Sequence, residues 1–444
     1  MKSPGSLAHG DGLHGRTASA ETDRAGDPVS QGRTYTVSIL ILITLVQTIA
    51  YADRVNLSVA APMLIQQFHY THAEIGLLSS ILIWVLTVAI IPSGPFVDWI
   101  GARVAYPVAV GVWSVATMLS GISVAFVPLA VFRGLVGLGE GPMIPAGGKV
   151  IVETFARENR GFAIGTFFAG NKLGLALGIP FASILLQTLG LRWVFLITGA
   201  IGFVWITAFL LVYRSSPSVS SPTVQSRIRW STLLRYRTTW GLMLGQSGYL
   251  YIYYIFATWL PDYLVQQRHM SIVSGGFVGM VPFLLGVGAT IFGGWVADAS
   301  VRRGMRVTVS RKLFTIVGLS ASAIFTVFGA FAHDVWLAVI FLTLAVVGFS
   351  FATGSIQPMS VDIAPPHVVA SLVALQNFGG NVGGSFAPFI TGYLVTATGG
   401  FQTALLVGAG VAVVLGCGSF GLLVGNLDRQ LTFPDTNRPK RIPA

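Results

Sequence analysis

Apolar runs of roughly 20 residues recur along this whole chain, and each is the length a helix needs to cross a bilayer core. Twelve such helices are expected, at 35–61, 75–97, 104–123, 128–153, 161–187, 193–213, 239–265, 273–299, 312–332, 335–358, 368–396 and 402–426. Of the 444 residues, 53% are hydrophobic and only 10% charged, against about 25% charged in a soluble domain. With a mean hydropathy of +0.73, the chain has too few polar groups to cover a globular surface. Its 53 glycines suit the close approach of membrane helices. The fold class this dictates is an all-α polytopic membrane protein.

The formal net charge of +11 is compatible with nucleic acid, but the basic residues fall in short clusters between apolar runs. Runs such as "RIRWSTLLRYR" at 227–237 therefore read as lipid-surface anchors and not as nucleic-acid sites. With both termini on the cytoplasmic side, the tails and the loops after even-numbered helices hold 21 of the 27 basic residues. Arg192 and Arg268 face the other side, and Arg54, Arg133, Lys149 and Lys172 fall within spans. This bias sets the expected orientation. Short exterior loops point to a bacterial inner membrane.

The long polar gap at 214–238 divides the spans six and six. The halves also repeat. "GPFVDWIGAR" at 94–103 recurs as "GWVADASVRRG" at 294–304, and the segment 170–200 recurs loosely at 380–409. Two pseudo-symmetric six-helix bundles joined by a central loop describe a two-bundle secondary transporter. The expected division is a disordered cytoplasmic tail at 1–33, bundles at 34–213 and 239–427 around the cytoplasmic loop 214–238, and a second cytoplasmic tail at 428–444.

The G-x-x-x-D pattern followed by basic residues, once per half, resembles the loop signature of the major facilitator superfamily. Within it, "YADRVNLSVAAP", "FRGLVGLGEGPMIPA", "FATWLPDYL", "DIAP" and "LQNFGGNVGGSFAPFITGYL" look like the anion:cation symporter family, over about 35–428. That resemblance implies a carrier of organic anions, commonly with protons. Sugar acids such as a hexonate, hexuronate or aldarate come first. Benzoate-, phthalate- or hydroxyphenylacetate-like acids are the alternative, with a proton-coupled exporter of amphipathic compounds behind them.

The residues themselves point the same way. Asp53 and Glu140 are acids expected well inside the spans, where an ionisable group is costly and usually faces a water-filled cavity. Burial disfavours the ionised form of a carboxylate and a neighbouring cation favours it, so their balance decides whether the group takes up a proton. Arg133 and Glu140, seven residues apart, share one helix face. Asp53 and Arg54 point about 100° apart on a helix and do different jobs. Arg54 is assigned the substrate carboxylate, because a guanidinium offers a planar fork that stays charged. Asp53 and Glu140 are assigned the proton, with Arg133 tuning them. In the family this resembles, the matching acids are linked to proton coupling and the matching arginine to the anion.

Tyr51, one turn from Arg54, is a further candidate for substrate contact. Lys172 is either a second cation that binds another carboxylate or replaces a proton site, or a side chain that snorkels or pairs with Glu140 or Asp53. Asn171 matches a position where sugar-acid members of the family carry an amide that contacts substrate. In the second half the candidates are neutral: Gln246, Tyr249, Ser355, Gln357, Asn377 and Asn381. Each is equally readable as a helix–helix hydrogen bond.

Asp98 and Asp298, with Gly94 and Gly294 one turn earlier and Arg103 following, are assigned to gating. There an acid caps a helix of the other half and the glycine admits a neighbouring helix. No P-loop appears, so no nucleotide is expected. No metal is expected either, and His69, His72, His333 and His367 read as solvated surface. The lone Cys417 reads as a small hydrophobe. No enzyme activity and no cofactor beyond the coupling proton are expected. The expected partners are a small organic anion and the lipid bilayer, and the protein is expected to act as a monomer.

Overall fold

The computed structural model describes residues 33–123, 125–155, 159–214, 230–365 and 368–429. Most of the two expected tails and of the expected central loop lie outside them, as does His367. The described residues form α1 (Arg33–Phe68), α2 (His72–Ile100), α3 (Ala102–Ser120), α4 (Phe126–Glu140), α5 (Met143–Thr154), α6 (Arg160–Leu189) and α7 (Leu191–Val212). The short α8 (Trp230–Leu233) precedes α9 (Arg237–Asp262), α10 (Ile272–Arg302), α11 (Val307–Phe331), α12 (Val335–Ile363), α13 (Val369–Gly384), α14 (Ala387–Thr398) and α15 (Gln402–Val411).

Ten helical passes are long and apolar enough to cross a membrane, one of them α4 and α5 together across Phe126–Thr154. That pass is interrupted at Gly141–Pro142, where Pro142 supplies no backbone N–H to continue α4. The last apolar pass runs Gln402–Leu423, with α15 continued by wider π-type turns. Two further passes, α9 and the α13–α14 pair, are helical but more polar, which brings the total to twelve. The polarity of α9 has a physical cause. Gln246, Ser247, Tyr249, Tyr251, Tyr253, Tyr254 and Asp262 are all buried in protein, so that helix has little lipid to satisfy.

Helix pairing repeats between the halves. The first pass packs on the fifth (α1 on α6) as the seventh packs on the eleventh (α9 on α13). Likewise α2 packs on α4 and α3 on α4 and α7, while α10 packs on α12 and α11 on α12 and α15. Between halves the main contacts are α6 with α10 and α2 with α14, with a smaller one between α1 and α9. This is the arrangement of two six-helix bundles around a pseudo-two-fold axis.

The two faces of the molecule differ. We call the face where α1 begins the terminal face and the other the far face. The bonds joining the halves run from the midplane to the far face. Ser58 donates to the Thr258 carbonyl, Phe389 N to Ser80 Oγ at 3.2 Å, and Ala73 N to Thr396 Oγ1 at 3.1 Å. Far-face helix starts are capped by side chains. Thr71 and Glu74 form a reciprocal capping box on α2, and Asp334 caps α12. The far face is closed in this conformation.

Candidate functional site

The first helix meets α6 at almost backbone distance, because a Cβ at Gly174 would lie 2.6 Å from Tyr51 Cβ. On the other side, a Cβ at Gly139 would lie 2.7 Å from Trp113 N. These glycines pack α6 tightly on α1 and α4 tightly on α3, and charges on different helices meet across the bundle interior.

Arg54 reaches across to Glu140, with Nε donating to Oε2 at 2.9 Å and Nη2 donating to the same oxygen. The pair is shielded, Glu140 being fully buried and Arg54 nearly so. The guanidinium also lies over the Tyr51 ring, 4.3 Å from its centroid, which adds a cation–π contact. Glu140 Oε1 is buried without a hydrogen bond. Arg133, which shares a helix face with Glu140, makes no salt bridge among the described residues, and its Nε is unpartnered. The cross-helix partner wins because Arg54 brings two donors to one oxygen.

Asp53 does point away from Arg54, as its position one residue earlier requires. It is 1% exposed and faces the α1 and α7 side, where Asn56 Nδ2 lies 3.5 Å from Oδ1 and 2.7 Å from Thr198 Oγ1. Its Oδ2 has no partner. Asn56 and Thr198 went unrecognised in the sequence, although Asn56 stands within the helix 1 motif.

A pocket is lined by Tyr51, Arg54, Ser79, Arg133, Leu175, Tyr253, Tyr254 and Thr258. Its volume of about 40 Å³ has room for a few waters and not for a six-carbon acid. Tyr254 is a lining residue that sequence reasoning did not single out, and Tyr249, which it did, is not part of the lining. Tyr249 stacks on Tyr253 in an aromatic cluster with Phe349.

Other expected site residues go elsewhere. Lys172 pairs with neither Glu140 nor Asp53. Its Nζ crosses to α10 and donates to the Gly286 carbonyl at 3.3 Å and to Thr290 Oγ1, bridging the two halves. Gln246 accepts from Gln376 Nε2 at 3.3 Å, inside the α9–α13 contact. Asn377 spends its amide on the Val373 carbonyl of its own helix. Asn381 accepts from Tyr254 at 2.8 Å, which links it to the pocket wall. Asn171 Oδ1 and Ser355 Oγ are buried without partners, and Gln357 is exposed.

The gating residues do not cross between halves in this conformation. Asp98 lies 3.6 Å from Lys149, and Asp298 lies 2.8 Å from Arg311, each within its own bundle. Arg311 also donates to Asp362 at 2.9 Å. A Cβ at Gly94 would meet nothing within 4 Å, and one at Gly294 would meet only Gly354 of the same half. Arg103 donates to the Tyr213 and Leu210 carbonyls and so caps the end of α7. The reason is common to all of them. They sit at the terminal face, whereas the halves are pressed together at the far face.

His72 and Asp262 require a correction. His72, expected to be solvated, stands at the start of α2 with its Nε2 3.3 Å from Asp262 Oδ2 at the end of α9. Asp262 is 0% exposed, a third buried acid beyond Asp53 and Glu140. No spacing rule links positions 72 and 262, so only the packing of α2 on the second half reveals the contact. Among the described residues, no group of His, Cys, Asp and Glu could hold a metal.

Two repeating helical bundles in a membrane, with charges gathered at their centre, define a polytopic membrane transporter. The chain belongs to the Major Facilitator Superfamily, whose model matches residues 43–310 and 307–441. It is 32% identical over 424 residues to the D-galactonate transporter of Escherichia coli O6:H1, covering 89% of this chain and 97% of that one. It is 29% identical to a probable galactarate/D-glucarate transporter of Bacillus subtilis, covering 90% and 95%. Among solved structures, a bacterial homologue of the human lysosomal transporter Spinster, inward-facing and occupied, superposes with a TM-score of 0.77. The identity there is 19%, over 88% of this chain and 97% of that one. A D-xylose–proton symporter superposes with a TM-score of 0.73 at 15% identity, over 89% of this chain and 100% of that one. The chain is a transporter and not an enzyme.

Proposed function

We propose that this transporter imports a sugar-acid anion together with protons, by alternating access of its two bundles to a midplane site. The observation that carries this reading is the buried Arg54–Glu140 pair, whose arginine lines the pocket together with Arg133, with Asp53 in the same bundle. Similarity to a D-galactonate transporter and to probable galactarate/D-glucarate transporters supports the substrate class.

In this mechanism the substrate carboxylate and Glu140 compete for Arg54. A proton on Glu140 removes its charge and releases the guanidinium fork for the incoming anion. Asp53, buried with a free oxygen, takes a second proton when the anion's charge is delivered nearby. Tyr51, Asn171, Tyr253, Tyr254 and Asn381 bind hydroxyl groups along the acid. Both termini lie in the cytoplasm of a bacterial cell, so the closed far face is the exterior one and the site opens inward here. Asp98 and Asp298 engage the opposite half only when the terminal face closes.

Purified protein in liposomes, given an inward proton gradient, is expected to accumulate D-galactonate, galactarate or D-glucarate, and to lose accumulation with a protonophore. Gradient-independent uptake, or uptake confined to cations, overturns the reading. The Tyr51–Tyr253–Tyr254 wall favours a second reading, an aromatic acid. Benzoate and hydroxyphenylacetate in the same assay separate the two.

A further inference from the structure

The midplane cluster is not the only place where buried charge meets the seam between the bundles. Asp262, the last residue of α9, has no exposed surface, and neither of its oxygens makes a well-aligned hydrogen bond. The cationic group that reaches it is the His72 imidazole from the other bundle, at 3.3 Å, with its side chain 21% exposed. The His72 ring is held between Trp259 and Phe401, each 5.8 Å away centroid to centroid. Backbone packing fixes it from behind, since a Cβ at Gly392 would lie 2.8 Å from the His72 carbonyl carbon.

The other titratable groups at this corner are committed elsewhere or exposed. On α2, Glu74 folds back onto Thr71. On the connector after α9, Arg268 donates to Tyr263 Oη, Ala332 O and His333 O. His69, His269 and His333 are exposed, and Tyr70 packs on Phe126. The α14–α15 corner contributes Thr396 and Phe401 and no charged side chain.

We infer that His72 and Asp262 form a second proton-binding site, separate from the midplane cluster, that latches the far face shut when His72 carries a proton. Imidazole is the side chain whose charge changes in the physiological range. Protonated, it compensates a carboxylate that burial has stripped of water. Neutral, it leaves that carboxylate buried and unpaired, which is costly, so the closed contact weakens and the bundles part on this face. A proton arriving from the far side therefore drives closure over a loaded site. Of the two groups, His72 senses the proton and Asp262 converts it into a contact.

The test measures distance, so its outcome does not depend on the substrate proposed above. In a C417S chain, spin labels at L189C and W336C mark far-face helix ends of opposite bundles, at positions that are 51% and 62% exposed. D53N and E140Q remove the titration of the midplane carboxylates, and K172Q in the same chain removes that of the midplane lysine. In that background the label distance is expected to lengthen as pH rises from about 5 to about 8. H72Q is expected to abolish the shift and leave the distances long, whereas D262N abolishes it and leaves them short. A pH shift that survives H72Q, or that is absent from the D53N/E140Q/K172Q chain, overturns the proposal. If the triply neutralised chain does not reconstitute, H72K against H72Q in the native background decides. The latch requires H72K to be the shorter at high pH, and equal distances overturn it.

Discussion

Glu140→Gln isolates the competition for Arg54. In the structure Glu140 Oε2 receives both Arg54 Nε, at 2.9 Å, and Nη2. Hydrogen bonds to a charged group contribute about 1.5–3 kcal/mol each, and a bound carboxylate would take over those donors. Removing the competing charge is therefore expected to tighten anion binding by about 1.5–3 kcal/mol, or roughly 10- to 100-fold in Kd. The same change leaves a buried guanidinium uncompensated, a defect of about 3–5 kcal/mol in measured cases. The empty variant should thus melt earlier than the native protein, and substrate should raise its Tm by more. Transport should split. Exchange of labelled for unlabelled substrate persists, because the loaded carrier still moves, while accumulation driven by a proton gradient is lost. Isothermal titration, a thermal-shift series and the two liposome assays read all four quantities on one preparation. Substrate binding weakened tenfold or more refutes the reasoning, since Glu140 would then be a ligand of the substrate and not its rival.

Arg54→Lys keeps the charge but loses the fork and the face that covers Tyr51 at 4.3 Å, so substrate Kd should rise about 10-fold or more by equilibrium binding. Lys172→Gln removes the bridge to Gly286 and Thr290; label distances across α6 and α10 should broaden, while Kd for a monocarboxylate changes less than it does for Arg54→Lys. Gly139→Leu forces a side chain into the Ala109–Trp113 backbone and should abolish a folded monodisperse peak in detergent chromatography. At the terminal face, Asp428 accepts from Val307 N at 2.9 Å and Thr308 Oγ1 at 2.7 Å, and the Thr308 hydroxyl foremost among these donors holds its carboxyl below the usual range. That contribution is present above the ordinary aspartate pKa and is lost as pH falls through the lowered one. Asp428→Asn should therefore cost a little Tm at neutral pH and nothing in strong acid.

The twelve passes and their six-and-six division were legible because they rest on run length, which the bilayer dictates directly. The charges of the midplane were legible as a set, since lipid makes each of them conspicuous. Their pairing was not. Periodicity places Arg133 and Glu140 on one face, but Glu140 binds Arg54, 86 residues away, on a helix that only the packing of the bundle brings opposite. Lys172 was visible as an anomaly, while its partner on α10 was not. Asp262 hid in plain view within "FATWLPDYL". At the edge of an apolar run an acid reads as interfacial, and its complete burial depends on α2 and α14 closing over it. Residues whose setting depends on the position of the other bundle are those that one-dimensional pattern describes least.

The far-face seam has one more property. A Cβ at Gly76 would lie 2.9 Å from the Pro388 carbonyl carbon, and one at Gly392 would lie 2.8 Å from the His72 carbonyl carbon. Where backbone rests against backbone, no side chain interlocks with its neighbour, and surfaces of this kind can separate without any rotamer having to change first. The resistance to parting is then concentrated in a handful of polar links: Ser58 to Thr258, Ser80 to Phe389, Thr396 to Ala73, and His72 to Asp262. A joint so built has its stiffness set by few adjustable points, and single substitutions at those points should retune how long the carrier dwells in each state while leaving the bundles themselves intact.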